Sequence, residues 1–174
     1  LLFLFGLIMV FSSSNVTAYM SGKSAYGYFI KQGIFLGVSA LISFIIVKFN
    51  TKVYGIASTP LLIILVGSLM ILLLYGKMTN QAQSWFQIGP ITVQPSEFAK
   101  VAIIAFIARY YEVNAKRLSN WLISAIPLLI GGIVAFLIIL QPDLGTAIIF
   151  SLLVIFMFLI VPMPKGVKSK IITF

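Results

Sequence analysis

Long apolar runs alternate with short polar stretches along the chain. Residues 1–11 are apolar but too short to span a bilayer, which takes about 20 residues. Further apolar runs fall at 28–47, 59–75, 96–111, 121–140 and 147–161. The pattern predicts an all-α fold, a polytopic transmembrane helical bundle of about six spans. The polar stretches between the spans are Ser12–Gly27, Lys48–Ser58, Gly76–Pro95, Glu112–Asn120 and Gln141–Thr146, with a basic exit at Pro162–Lys170. Tyr19, Tyr26 and Tyr28 fall at a boundary, as residues of an interfacial belt do. Pro60 is expected at the start of the third span, and a bend in the fifth is expected at Pro127 or Gly131-Gly132.

The richest polar stretch runs from Ser84 to Lys100 and holds one of the two tryptophans and one of the three acidic residues. Gly89-Pro90 is a turn signal, and Pro95 suits the first position of a helix. Glu97 then falls in the first helical turn, where exposed amides favour a negative charge. Lys100 follows three residues later on the same face. An acid and a base are thus carried to the mouth of a membrane helix, where each is costly unless paired or useful.

Composition sharpens this picture. The 174 residues are 61% hydrophobic and 9% charged, which excludes an ordinary soluble domain. Cysteine is absent, so disulfides and cysteine metal sites are excluded. Histidine is absent too, so acid–base chemistry falls to Asp143, Glu97, Glu112, a lysine or a tyrosine. The net charge of +9 lies at the ends of the apolar runs, which reads as membrane topology and not as nucleic-acid binding. One set of connectors carries Lys48, Lys52, Arg109, Lys116, Arg117, Lys165, Lys168 and Lys170; the other carries Lys23, Lys31, Lys77 and Lys100. Eight against four places the first set and the N-terminus in the cytoplasm, with the stretches around Trp85 and Asp143 outside.

Each polar candidate has two readings. Trp85 is an interfacial anchor, or an apolar plate against a lipid or sugar. Glu97 and Lys100 are a local ion pair, or they line a cavity. Asp143 is the N-cap of the sixth span, or a buried carboxylate facing Lys100, and these two are compatible. Gly131 and Gly132 are expected to allow close helix contact.

Ser84-Trp85, Ile88-Gly89, Gln94-Pro95-Ser96-Glu97-Phe98-Ala99-Lys100 and Gln141-Pro142-Asp143-Leu144-Gly145-Thr146 occur in that order. Together they resemble the SEDS family (shape, elongation, division and sporulation) of the RodA/FtsW/SpoVE type. Phe29-Ile30-Lys31-Gln32 is similar to the family's opening of its second span. The resemblance implies that residues 1–174 are the N-terminal part of a single membrane domain of roughly ten helices, with the C-terminal part missing. It implies a peptidoglycan glycosyltransferase that polymerises lipid II at the outer face of the bacterial cytoplasmic membrane, with a class B penicillin-binding protein as partner. Trp85, Glu97, Lys100 and Asp143 match positions around the family's central cavity, and Gln94, Pro95, Gln141, Pro142, Gly145 and Thr146 match its structural motifs. The family's catalytic aspartate follows the seventh span, so it is expected beyond Phe174. Ser84, where division-type members carry arginine, leans toward the elongation type. The expected partners are lipid II, membrane lipid and the penicillin-binding protein, with no nucleic acid. No cofactor and no metal ligand set is read from these residues. Glycosyl transfer from a lipid pyrophosphate needs cationic groups or a divalent cation near the leaving group, and Lys100 is one such cation. The competing functions are a flippase for the same lipid, which broken helices also suit, and a membrane scaffold.

Overall fold

The computed structural model describes residues 2–20, 25–75, 84–89, 91–164 and 166–173. Lys23, Lys77, Lys165, residues 76–83 and Pro90 lie outside the described residues. The chain divides into two compact units, Leu1–Asn50 and Thr51–Phe174.

The first unit holds α1 (Leu2–Met20) and α2 (Ala25–Val47). Phe11 meets Tyr26 and Phe29 edge-on at 5.5 and 5.6 Å between ring centroids, a favoured aromatic geometry. The stretch beginning at Ser12, expected as a loop, is helical as far as Met20. Its serines fit because Ser13 Oγ and Ser14 Oγ donate back to the carbonyls of Val10 and Phe11, which satisfies both hydroxyls within the helix.

The second unit is built from α3 (Thr51–Tyr75), a hairpin of β1 (Phe86–Ile88) and β2 (Ile91–Val93), α4 (Pro95–Val113), α5 (Trp121–Ile139), α6 (Leu144–Ile160) and a short α7 (Val167–Ile172). A 3-10 turn at Ala115–Arg117 joins α4 to α5. The third helix starts at Thr51 and not at residue 59, so Pro60 stands inside it. In the preceding turn Ser58 Oγ donates to the Gly55 carbonyl at 2.7 Å. The hairpin was not foreseen either. Its register pairs Phe86 with Val93 and Ile88 with Ile91, which leaves Gly89-Pro90 as a two-residue connection. Gly89 has φ +61, the left-handed conformation that such a turn requires at its first position. The expected bend in α5 falls inside one continuous helical segment, with Pro127 and Gly131 both buried.

Helix α4 is central to this unit. Ala99, Ala102, Ile103, Ile107 and Tyr111 are buried along it at helical spacing. They pack in one core with Leu62, Leu65 and Leu69 of α3, Val134 and Ala135 of α5, and Phe150, Val154 and Phe158 of α6. Gly131 lets α5 and α6 approach closely: a Cβ there would stand 2.6 Å from Val154 Cγ1. Gly132 has open space around it. The outward surface of the helices is rich in large apolar side chains, with Leu129 64% and Phe156 62% exposed. Such a continuous apolar exterior suits lipid and not water. Among the described residues three helical segments are long and apolar enough to cross a membrane, Phe29–Val47, Thr51–Tyr75 and Trp121–Ile139. Helix α6 is apolar but has 17 residues, and α4 carries Glu97, Lys100, Arg109 and Glu112. The molecule is a multi-pass membrane protein of all-α class.

Candidate functional site: a polar junction at one end of the bundle

Pro95 opens α4 with the residue best suited to a first turn, since its missing N–H would have lacked a helical partner anyway. Gln94 occupies the capping position, but its side chain does not cap α4. Gln94 Nε2 instead donates to Asp143 Oδ2 at 2.7 Å. The other oxygen, Asp143 Oδ1, accepts from the Thr146 amide at 3.1 Å and caps α6. One carboxylate therefore fixes the starts of two helices.

The segment that breaks α5 from α6 is held from a third side. Gln141 is fully buried, and its Nε2 donates to the Leu69 carbonyl of α3 at 2.9 Å. The buried Ser84 Oγ donates to the Gln141 carbonyl across a long 3.4 Å. The half-buried Trp85 follows at the root of the hairpin. Two buried polar atoms have no hydrogen-bond partner among the described residues, Ser96 Oγ and Gln141 Oε1. An unpaired buried polar group costs about 1–3 kcal/mol, so two of them within one motif cluster call for an explanation.

Lys100 Nζ donates to Glu97 Oε1 at 2.8 Å, and the two side chains are 18% and 53% exposed. The structure does not bring Lys100 to Asp143: among the described residues these two form no ion pair. The reason is spacing. Lys100 lies six residues beyond Gln94, about 9 Å of helical rise, and Glu97 takes it first. The expected three-residue network is two adjacent pairs, Gln94–Asp143 and Glu97–Lys100. Pro142 and Gly145 are exposed beside the junction, and Thr146 contributes its amide. Among the described residues no group of three ligating side chains gathers that could hold a metal ion.

Sequence reading singled out both Gln-Pro motifs but not the contacts between them. A Gln-Pro pair at a helix boundary, twice in one chain, was the available signal: Pro95 starts α4, and Pro142 lies in the turn just before the α6 cap. The glutamine amide can donate and accept, and at a buried helix end it must find partners.

The fold and this junction define a polytopic membrane protein with two helix starts bound to each other at one end. A family model described as "Cell cycle protein", covering FtsW, RodA and SpoVE, matches residues 1–173. The chain belongs to the FtsW/RodA/SpoVE family. It is 33% identical over 153 residues to a protein of Bacillus subtilis (strain 168) named probable peptidoglycan glycosyltransferase FtsW, covering 86% of this chain and 38% of that one. It is 36% identical over 151 residues to the stage V sporulation protein E of the same organism, covering 84% and 41%. The chain thus spans about two-fifths of the length of these relatives. Among solved structures, Thermus thermophilus RodA is similar in fold with a TM-score of 0.67 at 22% identity, covering 98% of this chain and 56% of that one. A chain from the structure titled "Structural coordination of polymerization and crosslinking by a peptidoglycan synthase complex" has a TM-score of 0.60 at 26% identity, covering 84% and 44%.

Proposed function

We propose that this chain is the N-terminal part of a peptidoglycan glycosyltransferase that polymerises lipid II at the outer face of the bacterial cytoplasmic membrane. The observation that carries the reading is the Gln94–Asp143 bond, which joins the two most distinctive motifs of a chain matched to the family along nearly its whole length. In this reading the N-terminus is cytoplasmic, and the junction lies outside, where the lipid-linked sugar would be handled. Lys100 supplies a cation for the departing pyrophosphate, and Glu97 orients it. Trp85, half-buried at the root of the hairpin, offers an apolar face to a lipid or sugar. The base that deprotonates the acceptor hydroxyl is a carboxylate, expected beyond Phe174. A class B penicillin-binding protein is the partner, a reading supported by the similar chain from a complex titled for polymerisation and crosslinking. The reading covers elongation, division and sporulation roles alike.

The test is polymerisation of purified lipid II, with products resolved on a gel. The full-length protein with its partner is expected to make glycan strands, and residues 1–174 alone are expected to make none. Strands from residues 1–174 alone would put the chemistry in the wrong part of the protein. A full-length protein that moved lipid II across vesicle membranes without joining it would favour a flippase.

A further inference from the structure

At the end of the second unit opposite Asp143, a cavity of about 290 Å³ opens between α3 and α4. Its polar wall is Thr51, Lys52, Tyr54, Arg109 and Glu112. A neighbouring hollow of about 320 Å³ shares Gly55 and Arg109 but adds the apolar Ile56 and Phe106. Arg109 is the partition between the two hollows, each lined by both polar and apolar side chains.

The position of Arg109 is built by both helices. Gly55 leaves a notch on α3 in which the arginine stem lies, and a Cβ there would stand 3.1 Å from Arg109 Cδ. Arg109 Nη1 donates to Glu112 Oε2 at 3.0 Å. A guanidinium has five N–H donors, and Glu112 is the one acceptor this guanidinium meets among the described residues. The side chain of Arg109 is 42% exposed, so its remaining donors are accessible from the cavity side. Lys52 brings a second positive charge, and the recess has one acid, Glu112, against these two bases. Lys116 and Arg117 follow in the 3-10 turn beyond the end of α4, both exposed.

Charge and position identify the chemistry. Arg109 lies fifteen residues beyond Gln94, about 22 Å along α4, so this recess and the Gln94–Asp143 junction sit at opposite ends of one helix. A planar arginine fork suits a phosphate, and basic pockets between membrane helices on the cytoplasmic side hold lipid head groups. The second hollow opens beside Ile56, which is 72% exposed, an apolar path for an acyl chain. A free phosphate would use the two basic groups of the first recess and leave this path unused.

We infer that Arg109 and Lys52 form a binding site for the phosphate of an anionic phospholipid, with its acyl chain lying along Ile56 and Phe106. The assignment to the inner leaflet rests on the basic-residue count, while the binding itself does not.

The experiment is native mass spectrometry of the purified intact chain in neutral detergent, titrated with phosphatidylglycerol or phosphatidylcholine. Phosphatidylglycerol is expected to bind at least one site that phosphatidylcholine does not fill. Arg109→Gln and Lys52→Gln are each expected to weaken that site about fivefold, the effect of one interfacial basic charge. Glu112→Gln separates binding from simple structure. It removes the competing carboxylate, so binding is expected to hold or tighten; a structural Arg109–Glu112 pair would make Glu112→Gln and Arg109→Gln behave alike. Should Arg109→Gln fail to accumulate, Gly55→Val displaces the arginine stem and carries the same expected loss. Equal binding of the two lipids, or unchanged affinity in these variants, would overturn the proposal. Displacement of phosphatidylglycerol by millimolar inorganic phosphate would replace it with a free-phosphate site.

Discussion

Gln94 and Asp143 are 49 positions apart in the chain and 2.7 Å apart in space. The bond ties the start of α4 to the start of α6 and uses the one Asp143 oxygen that the α6 cap leaves over. The pair is expected to be strongly coupled. Asp143→Ala removes a cap worth about 0.5–2 kcal/mol and a charge-assisted bond worth about 1.5–3 kcal/mol. In a double-mutant cycle with Gln94→Ala, thermal unfolding in detergent is expected to show an interaction energy of about 1–3 kcal/mol. The cycle between Asp143→Ala and Lys100→Ala is expected to be additive within about 0.5 kcal/mol. The reverse pattern would restore a direct Asp143–Lys100 contact.

In the proposed function Lys100 is the working member of the second pair. In cells depleted of the native protein, full-length Lys100→Ala is expected not to support growth while reaching normal membrane levels on immunoblots. Glu97→Gln is expected to reduce growth partially, because it releases the lysine without removing its charge. Normal growth of Lys100→Ala would leave the pair as an exposed i,i+3 contact worth at most about 1 kcal/mol.

The two adjacent glycines of α5 are expected to differ sharply. Gly131→Val drives side-chain atoms into Val154 and is expected to destabilise the bundle by about 1–3 kcal/mol, the usual range for overpacking. Val154→Ala in the same chain is expected to recover part of the loss. Gly132→Ala has open space and is expected to stay within about 0.5 kcal/mol. Equal effects at the two positions, read as melting temperatures, would contradict the close α5–α6 contact.

Orientation is open to direct chemical labelling because the chain has no cysteine. Single cysteines at Gln87 and Lys116, both exposed, can be tested with an impermeant thiol reagent on intact cells. Labelling is expected at position 87 and not at 116. The opposite result would reverse the sidedness assigned to the polar junction.

The helices were legible wherever an apolar run was unbroken, as in α5, and in α6 to within three residues at its start. Pro95 and Asp143 also stand at helix starts as their chemistry suggests. The missed boundaries share a cause: local polarity was read as a loop although the backbone had a use for it. Ser13 and Ser14 bond back into α1, and Ser58 does the same beside Pro60. The hairpin left a trace in the β-branched and aromatic residues flanking Gly89-Pro90, but at three residues per strand it was too short for periodicity to decide. The junction was half legible. Which residues would be polar and near a helix end could be read along the chain, while Gln94 and not Lys100 meeting Asp143 depends on helix rise and on packing between distant segments. Ser84 shows the same limit: read as a marker of subtype, it is a buried hydroxyl turned toward the Gln141 carbonyl.

The bond from Gln141 to the Leu69 carbonyl has a consequence for how the protein is made. Its two ends are 72 positions apart, so α3 emerges from the ribosome long before the amide that will grip it. Until they meet, that amide must keep water or a lipid head group as its partner, because hydrocarbon offers none. The cross-link therefore cannot form before residue 141 is made, and a chain that ends short of the α5–α6 turn holds α3 without it.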